Sequence, residues 1–260
     1  MDHAKEVGLD IISITDHDTL TSTDDIKRLA EDRKITLIPG VEFSTIFEEI
    51  PIHILGYFID RHSQPVISLL EKAKGSRHER NIKMIELFKR EGIEITWEEL
   101  KEIAGSDVIA RPHFAELLVQ KDITRTKQEA FYEYLADQAK CCPARKELPA
   151  EEVTKGIAKS GGISCLAHPS IYGLKTEKEY DDFIGSLSRN GLTALEVYGT
   201  RHKPEKAAFF LKLAKKYNLI PLGGSDFHGE NKMNAFLGKF YGIEEVYTNL
   251  EPELKQRGYA

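Results

Sequence analysis

Asp10-Ile11-Ile12-Ser13-Ile14-Thr15-Asp16-His17-Asp18 is the stretch whose reading decides the fold. Its first half is β-branched and apolar and alternates too little for a half-exposed strand. It therefore reads as a buried parallel strand, preceded by a turn at Gly8-Leu9. Its second half is the loop that the strand delivers. In α/β folds the groups that do chemistry stand on loops at the carboxyl ends of strands, which puts Asp16, His17 and Asp18 where ligands bind. Followed by Thr21-Ser22-Thr23-Asp24, the same residues could instead cap the next helix, and the stretch alone leaves both readings open.

Working outward, 2–7 reads as the end of a helix and 23–33 as a helix, with 35–39 a short strand entering Gly40-Val41-Glu42-Phe43-Ser44. Strand, helix, strand predicts a right-handed parallel crossover. A further strand over 51–59 carries His53. From about 65 to 140 the hydrophobic period becomes helical, with helices expected over 65–91, 97–104, 111–120 and 127–139. This segment reads as an insertion and divides the chain into 1–64, 65–147 and 148–260. The alternation then returns, with helices over 149–159, 177–190 and 205–217. Strands are expected over 163–167, opening onto His168-Pro169, over 194–198, whose loop carries Arg201 and His202, and over 219–222, opening onto Gly223-Gly224-Ser225-Asp226-Phe227-His228. The order predicts an α/β fold, a parallel barrel or barrel-like sheet with one long helical insertion.

The chain has 260 residues, 41% hydrophobic and 30% charged, with a net charge of −6, enough to bury a full core. The acidic balance argues against wrapping long nucleic acid, while leaving room for a local phosphate pocket. No apolar run reaches transmembrane length, and Met1-Asp2-His3-Ala4-Lys5-Glu6 lacks the apolar core of a signal peptide, so no membrane association and a cytoplasmic location are expected. Cys141 and Cys142 are adjacent and Cys165 lies in an expected strand, which makes no disulfide framework.

Strand after strand ends in a group able to bind a divalent metal: His17, Glu42, His168, Asp226 and His228, with His53 inside its strand. Imidazole and carboxylate without thiolate suit Zn, Mn or Fe. Asp226-x-His228 can place two side chains on one side of an extended segment. Each residue has a blander reading, His53 and His168 as hydrogen-bonded core histidines, Glu42 as a turn residue, Asp226 as a cap. Six such coincidences at the same strand ends are less probable than one shared site.

Ile12-Ser13-Ile14-Thr15-Asp16-His17-Asp18, Ile38-Pro39-Gly40-Val41-Glu42, His53-Ile54-Leu55-Gly56-Tyr57, Ala167-His168-Pro169 and Gly224-Ser225-Asp226-Phe227-His228-Gly229 together resemble the polymerase and histidinol phosphatase (PHP) family. The likeness is closest to its small phosphoesterases acting on nucleotides and nucleoside 3′,5′-bisphosphates, whose helical insertion carries the motif seen here as Arg111-Pro112-His113. The resemblance implies a distorted seven-stranded β/α barrel holding up to three ions, often Mn, Fe or Zn. It makes His17, Glu42, His53, His168, Asp226 and His228 the metal ligands. Arg111 and His113 would hold the substrate phosphate, a task that suits the planar fork of arginine; on sequence chemistry alone, Arg111-Pro112 could simply start a helix. Arg201 and His202 are further candidates for phosphate contact, and Arg145-Lys146 a weaker one.

Members of that family begin with a strand carrying Asp-x-His-x-His and then a Ser-Asp-Gly segment. This chain has neither, and Ala4-Lys5-Glu6-Val7-Gly8-Leu9 matches the helix that normally follows them, so an open barrel seam is expected. The expected reaction is hydrolysis of a phosphomonoester of a nucleotide, a nucleoside bisphosphate or a short oligonucleotide 5′ end. A metal-bound water would attack, with no side chain assigned as general acid and with Asp16 and Asp18 orienting ligand imidazoles. Two alternatives remain: a non-catalytic barrel with an incomplete metal site, and an amidohydrolase-like barrel acting on C–N bonds, whose usual ligand lysine is not evident.

Overall fold

The computed structural model describes residues 1–105, 108–136, 139–229 and 235–259. They form two compact units, one of Met1–Leu69 with Leu148–Ala260 and one of Leu70–Glu147.

In the first unit, α1 (Asp2–Glu6) leads through Gly8, at φ 79°, into β1 (Ile11–Ile14). Thr23 caps α2 (Asp24–Asp32) by accepting the Ile26 N–H, and α2 returns the chain to β2 (Thr36–Phe47), which pairs parallel with β1 from Ile11↔Thr36 to Ile14↔Pro39. The short strand expected over 35–39 runs on unbroken to Phe47. Gly40 permits this, because a Cβ there would lie 2.3 Å from Ser13 Oγ.

One strand departs from the parallel order expected of the barrel-like sheet, at the next connection. Glu48 and Glu49, at φ 48° and 64°, form a two-residue turn into β3 (Ile50–Tyr57). A connection that short makes a hairpin, so β3 runs antiparallel to β2.

The second unit is helical. It contains most of α3 (Gln64–Arg90), then α4 (Trp97–Ala104), α5 (Arg111–Gln120) and α6 (Lys127–Ala130). A Thr96–Glu99 capping box starts α4. The helix expected over 127–139 ends earlier, since α6 passes into a π turn at Phe131–Leu135 and Ala136 is extended; 137–138 lie outside the described residues. The unit has its own core, in which Met84, Phe88, Leu100, Phe114 and Leu118 are fully buried.

Back in the first unit come β4 (Leu148–Pro149), α7 (Ala150–Lys159), β5 (Ile163–Leu166), α8 (Glu177–Arg189), β6 (Ala194–Gly199), α9 (Pro204–Lys216), β7 (Ile220–Gly224) and α10 (Ile243–Gln256). The strands form one seven-stranded mixed sheet in the order β1-β2-β3-β5-β6-β7, with β4 on β2. β3 is antiparallel to β5 as well, and β5-β6-β7 are parallel. This is a distorted, partly open TIM-like half-barrel whose interior holds Ile38, Leu55, Phe58, Cys165 and Leu222, with Leu254 of α10 packed on them. β1 and β7, the ends of the strand order, flank a cavity of about 840 Å³. Its walls include Leu9, Ile11, Leu237 and Val246 on the apolar side and His17, Asp226 and His228 on the polar side. No helix among the described residues is long and apolar enough to cross a membrane, and all three cysteines are free thiols.

The left-handed backbone of Glu49 yields a direct prediction. A non-glycine residue pays about 1 kcal/mol or more there, so Glu49→Gly raises the urea midpoint of unfolding; a lowered midpoint contradicts the turn.

Candidate metal centre

Strand register assembles the site. The loop after β1 continues along β2, since Glu42 N–H donates to Asp16 O (3.1 Å) and Asp18 N–H donates to Glu42 O (2.9 Å), which sets His17 opposite Glu42. Glu42 and Ser44 share a face of β2, and the pairing Ser44↔His53 puts His53 of β3 on that same face. Ala167 N–H donates to His53 O (3.1 Å) and so brings the end of β5, with His168, alongside.

These side chains converge on one carboxylate. His53 Nδ1 lies 2.7 Å and His168 Nε2 3.1 Å from Glu42 Oε1, and His17 Nδ1 lies 3.8 Å from Glu42 Oε2. The two nitrogens beside Oε1 are 3.1 Å from each other. His17, Glu42 and His53 form a group whose ligand atoms all lie within 4.8 Å of one another, and His168 extends it. Burial acts to raise the Glu42 carboxyl, but the pull of His17, His168 and His53 overrides it and holds the group well below the usual carboxylate range.

The donor set fits a divalent cation. Tyr172 Oη donates to Ala167 O (2.8 Å) and accepts the His53 backbone N–H (3.0 Å), and His168 Nδ1 lies 3.2 Å from it. With the phenol hydrogen on Ala167 O, His168 Nδ1–H is a donor to Oη; Nε2 then either carries a second proton bonded to Glu42 or, in the neutral ring that a cation would select, turns its lone pair toward it. A lone pair facing a carboxylate oxygen is satisfied by a cation between them. The spacings resemble the edges of about 3.3 Å in a tetrahedron of ligands at about 2.0–2.1 Å from zinc.

Asp226 and His228 follow β7. His228 Nδ1 sits 2.8 Å from Asp226 O, a bond that leaves Nε2 as its other face, and the His17 and His228 rings are 6.4 Å apart. Arg201 Nε lies 3.8 Å from Asp226 Oδ2. His202 points elsewhere: it is 3% exposed, with Nδ1 on Val197 O (2.8 Å) and Nε2 on Ser170 Oγ (3.1 Å), so it packs the loop instead of facing a ligand. Asp18 takes the Ser44 N–H (3.0 Å) and hydroxyl (3.1 Å), while Asp16 accepts from the Thr21 hydroxyl, so these bonds hold the loop in place. Asp18, His168 and Asp226 all have positive φ, local strain gathered at one site. Arg111 and His113 lie in the helical unit at the start of α5, where His113 Nδ1 accepts the Ala110 N–H (3.1 Å).

Glu196 and Tyr172 escaped the sequence reading. Glu196 Oε2 accepts the His168 N–H (2.7 Å) from inside β6, and burial pushes its carboxyl up to about 7 against the opposing pull of His168. An acid within Ala194-Leu195-Glu196-Val197-Tyr198 was the available signal.

Together the fold and the candidate donor cluster are of a metal-dependent phosphoesterase or amidohydrolase-like kind, related to phosphatases and exonucleases. Known proteins agree. The 5′-3′ exoribonuclease Rnm of Salmonella typhimurium is 30% identical over 261 residues, covering 97% of this chain and 88% of the relative. A 5′-3′ exoribonuclease of Haemophilus influenzae is 28% identical over 221 residues, covering 85% and 80%. An amidohydrolase from Chromobacterium violaceum, solved with bound SO4 and no metal, superposes with a TM-score of 0.86 at 23% identity over 98% of this chain and 89% of that one, a likeness of fold. No family model matches the chain. The chain belongs to the family of the Salmonella exoribonuclease.

Glu196 also sets a pH dependence. Its carboxyl binds a proton more tightly when folded, so the stability it contributes is fully present below about pH 4.5 and is lost as pH rises through about 7. The difference between those values is worth on the order of 3 kcal/mol. Denaturant unfolding of the metal-stripped chain between about pH 5 and 7.5 should show this loss, and Glu196→Gln should remove it; equal pH profiles for both proteins contradict the assignment.

Proposed function

We propose that this chain is a PHP-family, metal-dependent phosphoesterase that hydrolyses phosphate esters of nucleotides at the 5′ end of short oligoribonucleotides, with nucleoside 3′,5′-bisphosphates as related small substrates. The observation that carries this reading is the meeting of His53 and His168 on the buried Glu42 carboxylate at 2.7 and 3.1 Å. The exoribonuclease relatives support the choice of a nucleic-acid 5′ end over a C–N bond.

His17, Glu42 and His53 are the first set of ligands, and His168, Asp226 and His228 complete a site for more than one ion. A bound divalent ion of the Mn, Fe or Zn kind would supply Lewis-acid activation of water and offset negative charge at phosphorus. The chain's own groups do the rest. Glu196 and Tyr172 hold the His168 ring in one orientation from its backbone and its Nδ1 side. Arg201, paired with Asp226, supplies positive charge for phosphoryl oxygens. Arg111 holds a substrate phosphate through its planar fork, and His113 adds a neutral donor: with Nδ1 accepting the Ala110 N–H, its Nε2 carries the hydrogen. Burial first, then Arg77 and Lys127, lowers the pKa of His113 and favours that neutral form.

Release of 5′-nucleotides from a 5′-phosphorylated oligoribonucleotide tests the proposal. Chelated protein is expected to be inactive, Mn or Zn to restore it, and Glu42→Gln to lower kcat by at least about a hundredfold. Arg111→Ala should raise KM chiefly. Turnover in chelator or in Glu42→Gln overturns the metal-dependent reading, and unchanged Arg111→Ala kinetics removes Arg111 from substrate binding.

A further inference from the structure

In the helical unit, Lys74, Arg77, His78 and Asn81 recur at helical spacing and so share one face of α3. With Trp97, the first residue of α4, and Ile109, shortly before α5, that face lines a cleft enclosing about 30 Å³. The Thr96–Glu99 capping box sets where α4 begins and so fixes Trp97 at the cleft. The rings of His78 and Trp97 meet edge to face, their centroids 4.5 Å apart at an angle of 78°. Lys74 and His78 are exposed and Trp97 is half-buried, so the cleft opens to solvent beside an aromatic pair.

Asn81 is the buried end of the cleft. It is 1% exposed, and its Nδ2 donates to Ile109 O (2.9 Å). A carbonyl only accepts, so the amide nitrogen is the atom that faces Ile109, and the orientation of the amide is settled. Oδ1 is then the atom left for the cleft, and it is buried with no hydrogen-bond partner among the described residues. An unmatched acceptor that far from water is costly, and a donor arriving from outside removes the cost. The enclosed space admits a group the size of a water molecule or an amino group, too little for a ring. Two cationic side chains, Lys74 and Arg77, line the same cleft and disfavour an ammonium ion, which leaves a neutral amino group as the donor.

We propose, resting on the oligoribonucleotide reading above, that this cleft is a base-reading subsite for the RNA substrate. A planar base packs against Trp97 and His78, and its exocyclic amino group enters the cleft and donates to Asn81 Oδ1. Cytosine and adenine present such a group at N4 and N6, whereas uracil presents an acceptor, O4, that would face the Oδ1 lone pairs. Stacking on the aromatic pair is open to every base, so the amino group is what discriminates. Binding here needs no metal ion, so base preference and hydrolysis can be measured apart.

Trp97 is the chain's single tryptophan, so its fluorescence reports the cleft directly. The experiment titrates the full chain in chelator, by calorimetry and by Trp97 emission, with three 5′-phosphorylated trimers: tricytidylate, triuridylate, and the trimer of 2-pyrimidinone riboside, whose ring is cytosine without its amino group. Tricytidylate should quench Trp97 and bind at least about tenfold tighter than either of the others. Asn81→Ala should erase that preference while the far-UV circular dichroism stays unchanged, and Trp97→Phe should keep it. Equal affinity of the wild-type chain for tricytidylate and the 2-pyrimidinone trimer overturns the proposal, a comparison that needs no variant to fold. A preference that survives Asn81→Ala, or one that leaves Trp97 emission unmoved, overturns it too, and the cleft then holds water alone. Failure of all three trimers to bind has the same consequence. Metal-dependent release of 5′-nucleotides from triuridylate keeps the hydrolytic reading standing where the base preference fails, and an intact preference without hydrolysis does the reverse.

Discussion

The Glu42 carboxylate, nearly buried and facing His17, His53 and His168, is the charge that the strand ends are arranged to hold. Removing a carboxylate from water costs several kcal/mol unless it is matched by nearby donors or a cation. Each element around it supplies part of that match. β2 carries it, the loop after β1 brings His17, the hairpin partner β3 brings His53 and the end of β5 brings His168. The left-handed residues Asp18, His168 and Asp226 show that the backbone accepts local strain to aim these groups.

The mixed sheet follows from the same need. The Glu48–Glu49 turn pairs β2 with β3 over eight residue pairs and places Glu42, Ser44 and His53 on one face. The outer shell then fixes orientation. Asp18 grips Ser44, Tyr172 binds both the His53 backbone and the His168 ring side, and Glu196 anchors the His168 N–H. These groups position the Glu42, His53 and His168 cluster without belonging to the candidate donor set, the arrangement found around metal sites generally. The gap between β1 and β7 leaves His17, Asp226 and His228 lining an open cavity.

Much of this was legible in the residues because an apolar β-branched run that ends in a polar loop announces both a strand and its delivery point. Ile11–Ile14 before Asp16-His17-Asp18 and 163–167 before His168 are of that kind. The direction of β3 was not legible, since Glu48-Glu49 lacks the Asn-Gly or Asp-Gly chemistry that marks a two-residue hairpin. Glu196 was missed because a single acid inside an apolar strand reads as an edge position until burial is known, and Tyr172 because its hydroxyl acts across a turn. His202 is the converse case: in the sequence a loop histidine beside Arg201 looks available, and in the structure both ring nitrogens are engaged inside the fold. α10 escaped notice through Pro252, a residue that ordinarily breaks a helix interior.

Metal content per chain, measured by elemental analysis on wild type and on Glu42→Gln after loading with Mn or Zn and removal of excess ion, bears most directly on this account. At least one ion per wild-type chain, lost in Glu42→Gln while the far-UV circular dichroism is unchanged, is the expected result. Equal metal in both proteins, or none in the wild type, would contradict the view that the strand ends are built around a cation held by Glu42.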